Sequence, residues 1–420
     1  MYAVSHLGTR LCSDGSERSG GSRARLRESL ADMKKRNSKI IFLVTEDWYF
    51  WSHRLPMARA ARRAGFDVGI ATRVSTWGDS IRAEGFALHE LNWTRGSLSL
   101  LDNLRAVRNL VLVYRKEKPV IVHHVALKPV VVGGIAAIIA RVPRVVNALT
   151  GLGHLFTSDS PRFKTLRTIL HPVLKLVLTR SGSVTLLQNN DDLVRLKRLG
   201  YVNANAVIIR GSGVDTDHYR PQPFNRPDIV TAAFVGRIIE IKGIRVLMEA
   251  HRRLRRKGLR IRLLLVGTTD SENPGAVSRE EIAAWANEPD VEWLGYCNDI
   301  RSVWAQADIA VLPSTGGEGL PKALLEAAAC ARPLIATDVP GSREIALDGR
   351  NAIVVPPGDP DALCDALERL ASNEDLRKAF GAESRRIVES DMSQEHVSRD
   401  IVLLYQRMMN GRRSQDKLYS

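Results

Sequence analysis

The sequence predicts an α/β protein built from two doubly wound, Rossmann-like domains. Two observations carry this. Short β-rich apolar runs alternate with longer amphipathic runs along most of the chain, the pattern of parallel α/β architecture. At 420 residues the chain is also longer than one hydrophobic core organises, so two domains are expected. With 44% hydrophobic and 25% charged residues it reads as globular.

Residues 1–37 are rich in Ser, Gly and Arg, lack an apolar signal core, and read as a disordered extension. Met33-Lys34-Lys35-Arg36 stands just before the first strand and is a candidate translation start; native N-terminal sequence upstream of Met33 would refute that. A first domain is expected over 38–220, with strands at 39–45, 67–71, 87–91, 120–124, 144–148 and 183–187. Amphipathic helices are expected between them at 52–64, 100–116, 129–140, 162–178 and 191–199. Gly211, Gly213, Pro221, Pro223 and Pro227 make 210–227 a turn-rich linker. A second domain is expected over 228–393. Its strands fall at 229–235, 261–266, 291–294, 309–313, 333–336 and 352–355, its helices at 243–256, 279–287, 300–305, 322–330, 342–347, 360–371 and 374–388. An amphipathic helix at 394–409 closes the ordered chain, and the polar tail to 420 frays. Two such domains place a ligand in the cleft between them.

Composition excludes several function classes. Cys12, Cys297, Cys330 and Cys364 show no paired spacing, and no Cys or His pair has zinc-finger spacing, so no metal site is expected. The longest apolar stretch, 130–140, is far shorter than the roughly 20 residues of a spanning helix. The formal net charge of +15 is uneven. Residues 1–220 hold 34 Lys/Arg and 17 Asp/Glu, while the remainder hold 27 and 29. Such asymmetry points to a polyanion or an anionic membrane surface. No nucleic-acid module accompanies it, which argues against a nucleic-acid-binding protein.

The chemistry concentrates in Gly317-Glu318-Gly319-Leu320-Pro321-Lys322-Ala323-Leu324-Leu325-Glu326, between a strand and a helix. A strand, a glycine loop and a helix start together offer free amides and a positive dipole end to an anion. Pro321 suits the first helical turn, and the spacing lets Glu318 and Glu326 face one cleft. Gly236-Arg237-Ile238-Ile239-Glu240-Ile241-Lys242-Gly243 follows the first strand of the second domain. Arg237 offers a planar fork and Lys242 a point charge, a complementary pair for diphosphate oxygens. Loops at one edge of a parallel sheet converge, so these two segments can meet.

Together with Trp293-Leu294-Gly295-Tyr296, Thr337-Asp338-Val339-Pro340-Gly341-Ser342-Arg343-Glu344 and Asn351 to Asp359, these motifs resemble the C-terminal domain of retaining GT-B glycosyltransferases of family 4. The resemblance spans about 229–390. It implies a GT-B fold whose last helix returns to the first domain, and a nucleotide diphosphate sugar, habitually a UDP sugar, as donor. It implies that Arg237 and Lys242 bind and stabilise the leaving diphosphate without a metal or other cofactor. Glu326 would hold the ribose. Glu318 with Gly236, Pro321 and the amides of Gly319, Leu320 and Lys322 would position the sugar and phosphate, and Gly295-Tyr296 would meet the base. A UDP-sugar 2-epimerase on the same fold is the nearest rival reading.

In the first half, Thr45 to Phe50 stands where many members carry a Gly-Gly loop. Ser52-His53-Arg54-Leu55-Pro56, His123-His124-Val125-Ala126-Leu127-Lys128 and Thr150-Gly151-Leu152-Gly153 resemble a subgroup that acts on polyprenyl-diphosphate-linked acceptors in bacterial surface polysaccharide synthesis. His53 reads as a packing residue or a ligand. His123 and His124 end a strand facing the cleft. Lys128 would meet an acceptor phosphate or solvent, Thr150 a substrate or a plain turn, and His154 stands late for the family histidine. This subgroup implies a lipid-linked glycan acceptor and a cytoplasmic protein at the inner face of the cell membrane. The cationic, aliphatic run 162–178 fits such a surface.

Overall fold

The computed structural model describes residues 38–93, 99–152, 156, 160–221, 223, 229–273 and 275–410, so the expected N-terminal extension, the tail and His154 lie outside the described residues. Thirteen strands form two wholly parallel sheets. The first contains β1 (Lys39–Glu46), β2 (Asp67–Arg73), β3 (Ala87–Glu90), β4 (Ile121–Val125), β5 (Arg144–Ala148), β6 (Ser183–Leu187) and β7 (Ala206–Ile208) in the order β3-β2-β1-β4-β5-β6-β7. The second contains β8 (Val230–Val235), β9 (Ile261–Val266), β10 (Val291–Gly295), β11 (Ile309–Leu312), β12 (Leu334–Thr337) and β13 (Ala352–Val355) in the order β10-β9-β8-β11-β12-β13.

In both sheets the strand order reverses beside the first strand, between β1 and β4 and between β8 and β11. Chains leaving such neighbours turn to opposite faces and open a crevice at the strand ends. The four segments that follow β1, β4, β8 and β11 therefore gather in one place. Most of the residues singled out for chemistry stand on them.

The central strands are buried along most of their length because helices cover both faces of each sheet. Helix Gln394–Asn410 buries Val397, Ile401, Leu404 and Tyr405 against Leu55, Met57 and Ala58 of the first half, the return that the resemblance implies. It is reached through a π turn, Val388–Met392, rather than a clean stop at 388. The two crossing segments bond each other, Val214 N to Met392 O at 3.0 Å and Gln394 N to Val214 O at 2.9 Å. A side chain on Gly213 would strike Gln394 and Ser393 there.

Three local expectations change. The helix expected at 52–64 is two helices, Asp47–His53 and Leu55–Arg63, broken at Arg54 just before Pro56. The helix expected at 342–347 is a single 3-10 turn, Ser342–Glu344. The short strand β7 was not foreseen; three residues carry too little periodicity to register.

Candidate functional site

The loop after β11 turns through Gly316 and Gly317, the latter at φ +73°, and enters helix Lys322–Ala329 with Pro321 as N-cap, one position before the expected helical turn. Glu318 is fixed by two bonds of 2.5 Å, from Lys242 Nζ and from Ser314 Oγ. Glu326 is 8% exposed at its side chain and accepts from Tyr219 Oη at 3.1 Å, with Lys322 Nζ at 3.4 Å. Burial, then the Glu326 charge, pushes the Tyr219 phenol up, so it stays a donor to that carboxylate. Arg237 pairs with Asp270 at 2.6 Å.

These groups line two adjoining cavities. One, about 600 Å³, is bounded by Tyr219, Asp270, Tyr296, Cys297, Lys322 and Glu326. The other, about 570 Å³, is bounded by Tyr49, His53, Lys128, Thr150, Lys242 and Glu318. Glu46, Trp48, Gly236, Arg237 and Lys322 border both. The two glutamates thus face two compartments of one hollow, with Arg237 and Lys322 at the partition. Gly295, at φ +65°, ends β10 and turns out Tyr296, which is 70% exposed at the rim of the first compartment.

Backbone proximity explains the glycines at the seam. A Cβ on Gly319 would strike Gln188 Oε1 and the carbonyl of Thr150. One on Gly151 would come within 2.9 Å of Gly317 O. Thr150 therefore meets the glycine loop through its backbone. Asn189 Nδ2 donates to Gly319 O at 3.3 Å, and Arg343 pairs with Asp191 at 2.9 Å across the same seam. Leu320 packs on Gly211.

The opposite wall is helix Asp47–His53, which occupies the loop position after β1. Asp47 is fully buried and collects the amides of Ser75, Thr76 and Trp77 at 2.7–2.9 Å, plus the Ser75 hydroxyl at 2.6 Å. Burial alone would raise its pKa, but those bonds outweigh it and hold the carboxyl below its usual range. Trp51 stacks on Trp77 at 4.8 Å and completes the anchor. The anchored helix presents Trp48, Tyr49 and His53. The His53 ring stacks on Tyr49 at 4.3 Å and its Nδ1 meets Ser52 Oγ at 2.6 Å. Burial, then the charges of Lys322, Arg54 and Arg237, hold His53 well below the usual imidazole pKa, so it is neutral here. Lys322 Nζ donates to Ser52 O at 2.9 Å and ties the two walls together. Lys128 lines the cleft 5.9 Å from the Trp93 ring, and burial lowers its pKa.

His123 and His124 do not face the cleft. Successive residues of β4 point to opposite faces of a sheet covered on both sides, so both side chains are fully buried. His123 Nδ1 meets Tyr405 Oη at 2.5 Å, and His124 bonds Tyr114 Oη at 3.2 Å and Asn147 Oδ1 at 3.1 Å. Burial lowers the pKa of each, to about 4 for His124. They are neutral core residues. The cleft end of this strand is taken instead by Val125, Ala126 and Leu127.

Sequence reasoning missed Trp48, Asp270, Tyr219 and the anchoring role of Asp47. The polar run Gly267-Thr268-Thr269-Asp270 after an apolar strand was the available signal for Asp270. For Tyr219 there was none, since it reaches Glu326 from the crossing segment. Among the described residues, no group of three or more His, Cys, Asp or Glu could hold a metal ion.

Comparison with known proteins matches residues 230–373 to the family of glycosyl transferases group 1 and residues 39–201 to the glycosyl transferase 4-like family. The chain is a glycosyltransferase. Every strand of this glycosyltransferase but β7 falls within the two matches. It is 24% identical over 393 residues to the capsular polysaccharide biosynthesis glycosyltransferase CapM of Staphylococcus aureus, covering 88% of this chain and 97% of that one. It is 25% identical over 291 residues to the UDP-Gal:alpha-D-GlcNAc-diphosphoundecaprenol alpha-1,3-galactosyltransferase of Escherichia coli, covering 67% and 73%. Its fold matches that of Anabaena HepE, solved with UDP and glucose, at a TM-score of 0.69 and 18% identity over 88% of this glycosyltransferase and 99% of HepE. That likeness shows the GT-B fold.

Proposed function

We propose that this glycosyltransferase moves a hexose or N-acetylhexosamine, with retention of configuration, from a UDP sugar to a glycan carried on a polyprenyl diphosphate, in bacterial surface polysaccharide synthesis. The observation that carries the reading is the partition between the two compartments, where Arg237 and Lys322 stand with Lys242 and Glu318 beside them. A nucleoside fits the compartment of Tyr296, Asp270 and Glu326, with the buried Glu326 carboxylate taking the ribose hydroxyls. The diphosphate lies across the partition, against Arg237, Lys242, Lys322 and the amides after Gly319. The sugar then enters the wall-to-wall compartment beside Glu318. The acceptor hydroxyl attacks on the face the diphosphate leaves, the departing phosphate takes its proton, and the fixed cations stabilise the charge that builds there. HepE with UDP and glucose supports the choice of donor, and the diphosphoundecaprenol-dependent relative supports the choice of acceptor.

The lipid carrier requires the protein to work at a membrane. No helix among the described residues is long and apolar enough to cross one. Helix Pro161–Thr179 exposes Ile169 and Leu176 among its cations, and helix Leu100–Glu117 exposes Leu101, Leu104 and Leu112. These faces suit peripheral docking on the anionic inner leaflet.

The test is a screen of UDP sugars for saturable binding, then product analysis with a sugar-diphosphate-polyprenol acceptor. Transfer with retained anomeric configuration, insensitive to chelator, is the expected result. Turnover of donor without acceptor would mark an epimerase and overturn the reading. Flotation with anionic vesicles at low salt is expected for the full chain, and failure to float would remove the membrane part.

A further inference from the structure

Three arginines of the described chain are buried almost completely, and two of them are accounted for by peptide carbonyls. Arg332 donates to Trp304 O and Pro223 O at 3.0 Å each. Arg377 donates to Leu370 O at 2.6 Å and Ala371 O at 2.8 Å. Arg54 is different. It is 1% exposed, its Nη1 reaches only the Met57 sulfur at 3.5 Å, and its Nε and Nη2 have no hydrogen-bond partner. The Tyr49 ring lies 5.9 Å away. Among the described residues no carboxylate pairs with it. Of the three, Arg54 alone borders the cleft.

A thioether is a weak acceptor, and a tyrosine face attracts a cation only modestly. Burying an unpaired charge costs several kcal/mol, so a site that keeps one has a partner arriving from outside. The two carboxylates lining the same compartment are engaged elsewhere, Glu46 with Arg73 at 2.9 Å and Glu318 with Lys242 at 2.5 Å. The positive charge of Arg54 is felt by its neighbours, since it helps hold both His53 and His123 neutral. It is set by covalent geometry too. Arg54 closes helix Asp47–His53, its amide donating to Phe50 O at 2.7 Å, and the next helix starts one residue later, so the side chain is pinned between two helices at the cleft floor.

We infer that Arg54 is an oxyanion receptor in the first-sheet compartment, its planar fork donating to a phosphate or carboxylate of the acceptor or of the sugar being moved. The inference rests on the donor–acceptor reading of the cleft. A bidentate fork discriminates oxyanions by geometry where Lys128, on the same wall, offers a point charge. Arg54 is a binding residue here and takes no part in bond making.

The experiment uses the full chain with UDP at saturation, so that the diphosphate cations of the second sheet are occupied. Farnesyl diphosphate, farnesol and glucuronate are titrated against wild type, Arg54→Gln and Arg54→Lys by calorimetry. Wild type is expected to bind one of the two oxyanion probes at least about tenfold more tightly than farnesol, the worth of one charge-assisted hydrogen bond. Preference for farnesyl diphosphate assigns the site to the carrier phosphate, preference for glucuronate to an acidic sugar. Arg54→Gln should lose that preference and keep its UDP affinity. Arg54→Lys should weaken probe binding about threefold or more, and it serves as the deciding comparison should Arg54→Gln not fold. Equal probe binding by wild type and the variants, or no oxyanion preference in wild type, overturns the inference while leaving the donor site intact. Absence of UDP binding to wild type strikes the reading of the cleft, and the inference with it.

Discussion

The two walls of the cleft arise from one topological device, yet they handle charge in opposite ways. On the second-sheet wall each cation has a partner in place: Lys242 with Glu318, Arg237 with Asp270, Lys322 with Glu326. On the first-sheet wall a glycine loop is replaced by a helix, His53 is neutral, and Arg54 has no anion. Paired cations are held in position before the diphosphate arrives and exchange one anion for another. That keeps the reorganisation cost of binding small. The first wall is fixed by packing and by the buried Asp47, and its charge awaits a partner. The lesson is that a preorganised wall and a receptive wall can be told apart by where their carboxylates are spent.

Breaking the paired wall should have the largest effect. Lys242→Ala removes the cation that holds Glu318 and faces the leaving group, so kcat should fall about 10²–10³-fold in steady-state assays with little change in melting temperature. Gly319→Ala comes next. Its Cβ would meet Gln188 and the Thr150 backbone, so the walls cannot meet as they do here. A loss approaching about 10²-fold in kcat/KM with UDP affinity retained is expected, since misplacement by about 1 Å is that costly.

The receptive wall should respond through stability first. Asp47→Ala leaves the amides of Ser75, Thr76 and Trp77 without their acceptor and should cost about 2–3 kcal/mol in urea unfolding. Because the folded carboxyl titrates below its unfolded value, this contribution is complete above roughly pH 4 and disappears as pH falls through the folded pKa. Wild type should therefore lose more stability in acid than Asp47→Ala. The smallest effect belongs to His53. Its folded pKa is depressed, so protonation favours the unfolded chain and stability falls as pH drops below roughly 6.5. His53→Gln should flatten that slope by about 1 kcal/mol or less between pH 6.5 and 5, and an unchanged slope would show that His53 is not its source.

Glu318, Arg237, Lys242 and the glycines around them were legible because they stand between a strand and a helix that periodicity identifies, and Glu326 because it lies in the helix that follows. Periodicity also placed His123 and His124 at a strand end, and there it misled. It cannot say whether a strand end opens to a cleft or lies beneath a helix, and helix Gln394–Asn410 supplies Tyr405, 282 residues on, which closes over His123. Trp48 and Asp47 were passed over because a polar-aromatic run after a strand reads as loop, whereas Asp47 finds its amides in the turn after β2.

By itself the sequence determined the alternation of strands and helices, the loops that carry cations and carboxylates, and the family to which they belong, since these depend on neighbours within about a dozen positions. Only the tertiary structure decided which histidines are core, which compartment each glutamate faces, and that Arg54 is buried with no acceptor but sulfur. Those outcomes depend on segments far apart in the chain being packed into one low-dielectric place. There the cost of leaving a charge unpaired, small in water, becomes large enough to point to what must bind.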